Sequence, residues 1–398
     1  MKISILDSGS SANYEGFSLV SGGLIYSLTS VFRRKDNPKS NLRNTAIALS
    51  LITWLPLCLL ALYYGTLNDD RTTISFFEDF VVHVRFLFVV PFLILIEKMV
   101  DRSFVEYIKN SDDIIPNVQQ PKYNNLVKRL GKLTRSFLPE IIVLVVYYII
   151  IFTDPQVMNV EDSGRNYLTY PGTNTLNLAG WYNWLFCVPV FLLLIFRWFW
   201  RWIVWVYSLI KISYFKLFID PLHADKMVGL GYLNLVPLTF SYIFIAPSAM
   251  MSAVIGIDII YNGATFMSYY QLILLYVIIA PVILYSPLLI FMPKLVNAKR
   301  DGVLLFGDLL RKHNQDYIKK WINGEPDQNE PILGALDNSS LADINGSYAP
   351  IEEIKLFPVD LKMIIVSIFI NIIPYIPLVF TYYSFSELFK LFIASLMG

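Results

Sequence analysis

Cysteine is scarce in this 398-residue chain: Cys58 and Cys187 are the only two, too few for a disulfide framework. Charge is scarce as well, at 16% of residues against about 25% in soluble proteins. The 32 Lys and Arg nearly cancel the 31 Asp and Glu, leaving a formal charge of +1. That balance excludes a nucleic-acid-binding protein, which carries a basic excess. Soluble-enzyme signatures are missing too: there is no phosphate-binding Walker loop, no His-Glu-x-x-His, no Gly-x-Ser-x-Gly and no Cys-x-x-Cys. Apolar residues are what the chain has in excess, 55% of the total, with a mean hydropathy of +0.52. So apolar a chain collapses or inserts into lipid rather than staying solvated, which excludes disorder. The composition implies an all-α, polytopic transmembrane helical bundle.

A helix needs about 20 apolar residues to cross roughly 30 Å of hydrocarbon. Seven stretches meet that need, near 45–65, 80–99, 137–153, 184–206, 233–257, 267–292 and 362–383. The third is short unless its helix begins before Pro139, and the fourth runs on towards Tyr214. Lys and Arg orient the bundle, because they collect in cytoplasmic connections. The N-terminal tail and the connections after the second, fourth and sixth stretches hold 25 of them, while the alternate connections hold only Arg71 and Arg165. The sequence therefore predicts an N-terminus inside and a C-terminus outside.

Four regions follow. Residues 1–44 form an inside or interfacial tail, 45–293 the first six spans, 294–361 a cytoplasmic helix and loop, and 362–398 the last span and tail. The tail does not read as a cleavable signal, since its basic cluster follows rather than precedes the apolar stretch 17–32. From Leu295 to Ile322 the apolar residues keep a helical period, so the sixth span is expected to continue as an amphipathic helix. Gly324-Glu325-Pro326 breaks it, and a polar loop is expected up to Pro358. Asn338-Ser-Ser and Asn345-Gly-Ser match the glycosylation pattern but fall on the inside. Every span contains or borders proline, which suits a kinked, cavity-forming bundle.

Ionisable groups inside apolar spans default to functional candidates, because burying them is costly. Glu78-Asp79-Phe80-Val81-Val82-His83-Val84-Arg85 opens the second span. Asp79 and His83 are four apart and share a helix face. Arg85 lies six residues beyond Asp79, roughly 9 Å deeper, and Glu78, Asp79 and Asp258 are its candidate partners. A polar pathway through Asp79, His83, Arg85 and Glu97 is one reading; a snorkelling arginine beside an interfacial histidine is the other. At the inner face, Arg197 and Arg201 are four apart within Arg-Trp-Phe-Trp-Arg, as interfacial anchors or an anion clamp. Glu97 and Asp101 are placed to answer them. His223 and Asp225 read either as metal or catalytic groups or as a turn with a helix cap. Whether they bind a metal stays open.

Several segments together resemble a family of uncharacterised bacterial multipass inner-membrane proteins. They are His83-Val-Arg85-Phe with Pro91 and Glu97, Arg197-Trp-Phe-Trp-Arg201, and His223-x-Asp225 leading to Gly229-Leu-Gly231-Tyr-Leu233. Pro331-Ile-Leu-Gly334, Ser340-Leu-Ala-Asp343 and Pro358-Val-Asp360 add to the likeness. Members of that family often read His-Pro-Asp followed by an extra glycine, where this chain has Ala224 and Val228. The resemblance implies a bacterial inner membrane and says nothing of a substrate.

Three functions compete at this stage. The leading expectation is a channel- or transporter-like bundle with a polar site around His83 and Arg85. A membrane sensor or scaffold would instead use 295–360 as its docking surface. An interfacial enzyme acting on lipid headgroups would use His223 and Asp225, although the sequence leans away from catalysis. Expected partners are membrane lipids, a second copy of the chain, or a protein bound at 295–360; no nucleic acid and no cofactor is expected.

Overall fold

The computed structural model of the chain describes residues 18–19, 22–23, 38–67, 74–158, 164–170, 173, 175–324 and 336–382. Most of the N-terminal tail, the 325–335 part of the expected loop and the C-terminal tail lie outside these residues, as does Arg71. Seven helices are long and apolar enough to cross a membrane: α1 Leu42–Tyr63, α2 Phe80–Asp113, α3 Asn117–Thr153, α4 Leu178–Ser213, α5 Gly231–Tyr261, α6 Tyr270–Ile322 and, after a further helix, α8 Leu361–Thr381. The further helix, α7 Leu336–Glu352, is polar. No strand forms among the described residues, only an isolated bridge between Thr169 and Leu176. The protein is an all-α bundle of the multipass membrane type.

Helices α2 to α6, at 34, 37, 36, 31 and 53 residues, all outrun what lipid requires. In α2 an apolar half is followed by the amphipathic Glu97–Asp113. In α3 the order reverses: amphipathic Gln120–Thr134 precedes apolar Leu138–Thr153. Those 16 residues rise about 24 Å at 1.5 Å each. Helix α6 continues from its apolar half to Ile322, through a 3₁₀ stretch at Ser286–Phe291 and a closing π-segment at Ile318–Ile322.

One part of the expected polar loop is helical instead. Its residues include Asn338, Asn345, Gly346 and Pro350, all poor helix formers. Tertiary contacts override that weakness. Ile351 is fully buried, Tyr348 packs against the same core, and Asp337 accepts bonds from Lys320 Nζ at 2.6 Å and Trp321 Nε1 at 3.1 Å. Asp337's carboxyl is held below its usual range by those two donors.

The core lies between α2, α4 and α5. The Trp205 ring stacks on Phe240 with centroids 6.1 Å apart, and Trp198 meets the same ring edge-on. Helix α5 reaches the centre because its packed side is lined by small residues (Ala246, Ser248, Ala249, Ser252, Ala253 and Gly256), all buried. Small side chains let helix backbones approach closely where lipid supplies no hydrophobic drive. Large apolar side chains such as Leu59, Ile142, Ile149, Leu274 and Phe369 are exposed on the outer faces of α1, α3, α6 and α8. A water-soluble monomer does not carry so much contiguous apolar surface.

Prolines inside the bundle leave carbonyls without their helical donor, and tyrosines answer them. Pro56 has no N–H for Ile52 O, which accepts from Tyr182 Oη at 2.7 Å. Trp184 O and Leu185 O stand five and four residues before Pro189. They accept from Tyr147 Oη at 2.6 Å and Tyr148 Oη at 2.9 Å. These bonds tie peripheral α3 to α4 and α4 to α1.

Candidate functional site

The beginnings of α2 and α4 face a shared cavity. Asp79 caps α2: its Oδ1 accepts from Val81 N and Val82 N at 3.1 and 3.3 Å. Its Oδ2 accepts from Tyr167 Oη at 2.9 Å and lies 2.7 Å from Arg165 Nε. Asn177 caps α4 by accepting from Gly180 N at 3.0 Å. The same amide donates to Tyr167 O and Thr169 O, both at 2.9 Å, fastening the 164–170 segment over the helix starts. Gly180 permits this close approach, since a Cβ there would collide with Leu168 O. Tyr167 is fully buried, and burial, reinforced by the Asp79 carboxylate, pushes its phenol well above its ordinary range.

Both helices leave α-geometry at the cavity. Val84–Val89 in α2 and Asn183–Cys187 in α4 are π-helical. Val90 N donates to Arg85 O, and Val188 N donates to Asn183 O, each five residues back. In both helices a proline follows at the next position, Pro91 and Pro189. Such π-segments are rare and recur at functional sites. Between them lies a cavity of about 240 Å³. Its polar residues are Arg85, Arg165, Tyr167, Asn183 and Trp184; its apolar ones are Val81, Val82, Val157, Leu168 and Val188.

Arg85 is the group at this site without a carboxylate. Asp79 is engaged by Arg165, Tyr167 and two backbone amides. Glu78 accepts from Ser75 N at 2.9 Å and Ser75 Oγ at 2.7 Å, which hold its carboxyl below the usual range. Asp258 accepts from Asn262 Nδ2 at 2.6 Å and from Tyr269 Oη. Among the described residues Arg85 has no ion pair, and its buried Nε has no hydrogen-bond partner. Aromatic faces lie against it, with Cζ 5.3 Å from the Phe191 centroid and 5.7 Å from that of Phe86. Asn183 Oδ1 and Trp184 Nε1 are also buried without partners.

His83 does not join Asp79. Trp54 Nε1 donates to His83 Nδ1 at 2.9 Å, so the opposite nitrogen carries the proton and donates to Phe77 O at 3.2 Å. Phe76 and Phe77 flank the ring. Both ring nitrogens are thus committed to neighbouring groups.

The remaining candidates form two further groups. Glu97 Oε1 is 2.6 Å from Arg197 Nη1 and 3.8 Å from Arg201 Nη1, with all three side chains buried. Arg201 also lies over the Trp198 ring at 4.7 Å. Close by, Leu19 N donates to Asp101 Oδ1 at 2.6 Å, which seats the described part of the N-terminal tail against α2. These arginines are packed inside the bundle rather than snorkelling at its edge.

The His223–Asp225 turn is a backbone cradle. Asp225 Oδ1 accepts from Met227 N at 2.8 Å and Gly229 N at 3.1 Å, and Oδ2 accepts from Gly231 N at 2.8 Å. His223 Nδ1 lies 2.9 Å from Oδ1. Burial works to raise the Asp225 carboxyl, but the three amides and His223 outweigh it and hold it below its ordinary value. The turn forces Lys226 and Val228 to φ of 57° and 55°, a left-handed conformation that glycine adopts more readily. No group of three or more His, Cys, Asp or Glu able to hold a metal occurs among the described residues.

Sequence reasoning weighed Arg85 and Asp79 but passed over Arg165, Tyr167, Asn177, Asn183 and Trp184. Two signals were available. Asn177 immediately precedes an apolar run, as a helix cap does, and Val-Pro recurs at 90–91 and 188–189, although it also occurs at 236–237 in α5, where the helix has no π-segment. Comparison with known proteins finds no matching family model, no matching curated protein and no matching solved structure.

Proposed function

We propose that this chain is a multipass protein of the bacterial inner membrane, N-terminus inside and C-terminus outside, acting as a channel- or transporter-like bundle. The observation that carries the reading is Arg85: a buried cation with no carboxylate partner among the described residues, facing a cavity between two π-helical segments. The distribution of Lys and Arg puts the 64–79 and 154–177 connections outside, so the cavity is an outer vestibule. Solute enters beside Arg165 and Tyr167 and meets Arg85 at the bottom. Further passage requires α2 and α4 to repack, and π-segments followed by proline are where a helix changes register most readily.

The test is osmotic swelling of liposomes carrying the full-length protein, across small anions, cations and neutral solutes. Permeability to at least one solute should rise above that of protein-free liposomes and fall in Arg85→Gln. No solute moving faster than in empty liposomes, or an unchanged Arg85→Gln protein, defeats the reading. A second reading, a docking surface on the continuation of α6, is favoured by Leu304, Leu305 and Leu309, each more than half exposed. Leu304→Glu with Leu309→Glu should then change the oligomeric state or the co-purifying proteins; no change in either removes it.

A further inference from the structure

The chemistry of the cavity selects a class of solute. We infer that it holds a short aliphatic monocarboxylate, with the carboxylate on Arg85 and the alkyl chain among the valines. This rests on the reading of Arg85 as the end of a solute vestibule.

Charge comes first. Among the described residues at the cavity, Arg85 and Arg165 are both positive, and Asp79 neutralises one of them through its 2.7 Å contact with Arg165. One positive charge is left, which a monoanion balances. A dianion would leave buried negative charge in excess, and a neutral solute would leave Arg85 uncompensated. Donors come second. A guanidinium presents paired N–H groups that match a carboxylate. The unpartnered Trp184 Nε1–H adds a donor from α4. The Asn183 amide, turned about its last bond, offers N–H groups to the same anion.

The walls come third. Val81, Val82, Val157, Leu168 and Val188 line the cavity and supply no hydrogen bonds from their side chains. Chloride or phosphate gives up its hydration shell there and gets nothing back from that side. An alkyl chain instead gains roughly fourfold in affinity for each methylene it buries. Size comes last. About 240 Å³ holds roughly eight waters at about 30 Å³ each. That suits propionate, butyrate or pentanoate and is below the ~300 Å³ at which pockets for drug-sized ligands begin.

The experiment is titration of the purified full-length protein in detergent with sodium butyrate, by calorimetry and by thermal shift, with chloride, phosphate, succinate and butanol in parallel. Butyrate should bind and raise the melting temperature; the other probes should not. Arg85→Gln should weaken butyrate binding about tenfold or more, the scale of a lost charge-assisted hydrogen bond. Trp184→Phe, which keeps the ring and removes one N–H, should weaken it severalfold. Leu168→Trp should shift the preference from pentanoate to acetate. Where Arg85→Gln fails to fold, the Trp184 and Leu168 variants carry the test.

Equal binding of chloride or phosphate, no butyrate binding, or unchanged affinity in both Arg85→Gln and Trp184→Phe overturns the inference. Binding gained only when Glu161 and Asp162 are both neutralised also overturns it, because the chain would then supply the counter-ion of Arg85. Butyrate binding without liposome flux leaves the acid site standing and defeats transport. Flux that butyrate neither drives nor inhibits does the reverse.

Discussion

Replacing Tyr148 with phenylalanine tests how the wall of the cavity is held. The Tyr148 hydroxyl donates to Leu185 O at 2.9 Å, the carbonyl that an amide at 189 would serve in α-helical register and that Pro189 leaves without a donor. Losing the hydroxyl leaves that carbonyl unanswered in an apolar setting. The usual penalty for an unsatisfied buried group is about 1–3 kcal/mol, but interhelical bonds in membranes average about 0.6 and reach about 1.7 kcal/mol. Tyr148 is partly buried, so a loss of about 1 kcal/mol is expected. Pro189→Ala restores an N–H that reaches Leu185 O from within the helix. In that background the loss should fall by at least half, a coupling of about 0.5–1 kcal/mol, which a double-mutant cycle resolves. Reversible denaturation of the full chain in mixed micelles measures all four corners. Tyr182→Phe with Pro56→Ala repeats the cycle at Ile52 O, where the bond is 2.7 Å. Additivity within about 0.3 kcal/mol in both cycles would refute the idea that tyrosines replace the donors removed by proline.

Asp79→Asn keeps the α2 cap, since asparagine caps as well as aspartate, and removes the charge facing Arg165. Breaking a buried ion pair costs about 3–5 kcal/mol; Arg165 is 25% exposed, which reduces the expectation to about 2–3 kcal/mol by denaturation in micelles. A loss below about 1 kcal/mol would show that Arg165 is not held by Asp79. At the other turn, the Asp225 carboxyl is held below its ordinary value, so its contribution is complete above the unfolded-state value and is lost as pH falls through the folded one. Unfolding free energy should therefore drop below about pH 4, and less steeply in Asp225→Asn; parallel acid limbs would contradict the cradle.

The apolar helices were legible in the sequence because lipid imposes a length on each of them and leaves no room for polar interruption. Arg85 was legible for the same reason, as a lone charge in such a run. Its lack of a carboxylate was not. That depends on Arg165, 86 positions after Asp79, arriving from a connection to claim the nearest acid. The pairing of Tyr182 with Ile52 spans 130 positions, and no local pattern announces it. Helix α7 was missed because its own residues argue against a helix and its stability comes from α6. The π-segments left no specific trace, since Val-Pro follows both of them but also stands at 236–237 in a helix without one; the register change is set by how α2 and α4 meet.

The arginines inside the bundle can be compared with one another. Glu97 stands 2.6 Å from Arg197 and 3.8 Å from Arg201, and Asp79 stands 2.7 Å from Arg165. The fold thus places a carboxylate against each of three arginines, and it does so with acids from distant parts of the chain. Desolvating an ion costs several kcal/mol, and that applies equally to Arg85. The aromatic faces 5.3 and 5.7 Å away return only about 0.5–2 kcal/mol. If Arg85 were structural, a carboxylate at a neighbouring position would be the simple remedy, and Asn183 already occupies one such position on the cavity wall. The chain instead has an amide there, an indole N–H beside it, and helical register given up at these same residues. An anion bound in this cavity would supply the charge that the described residues do not.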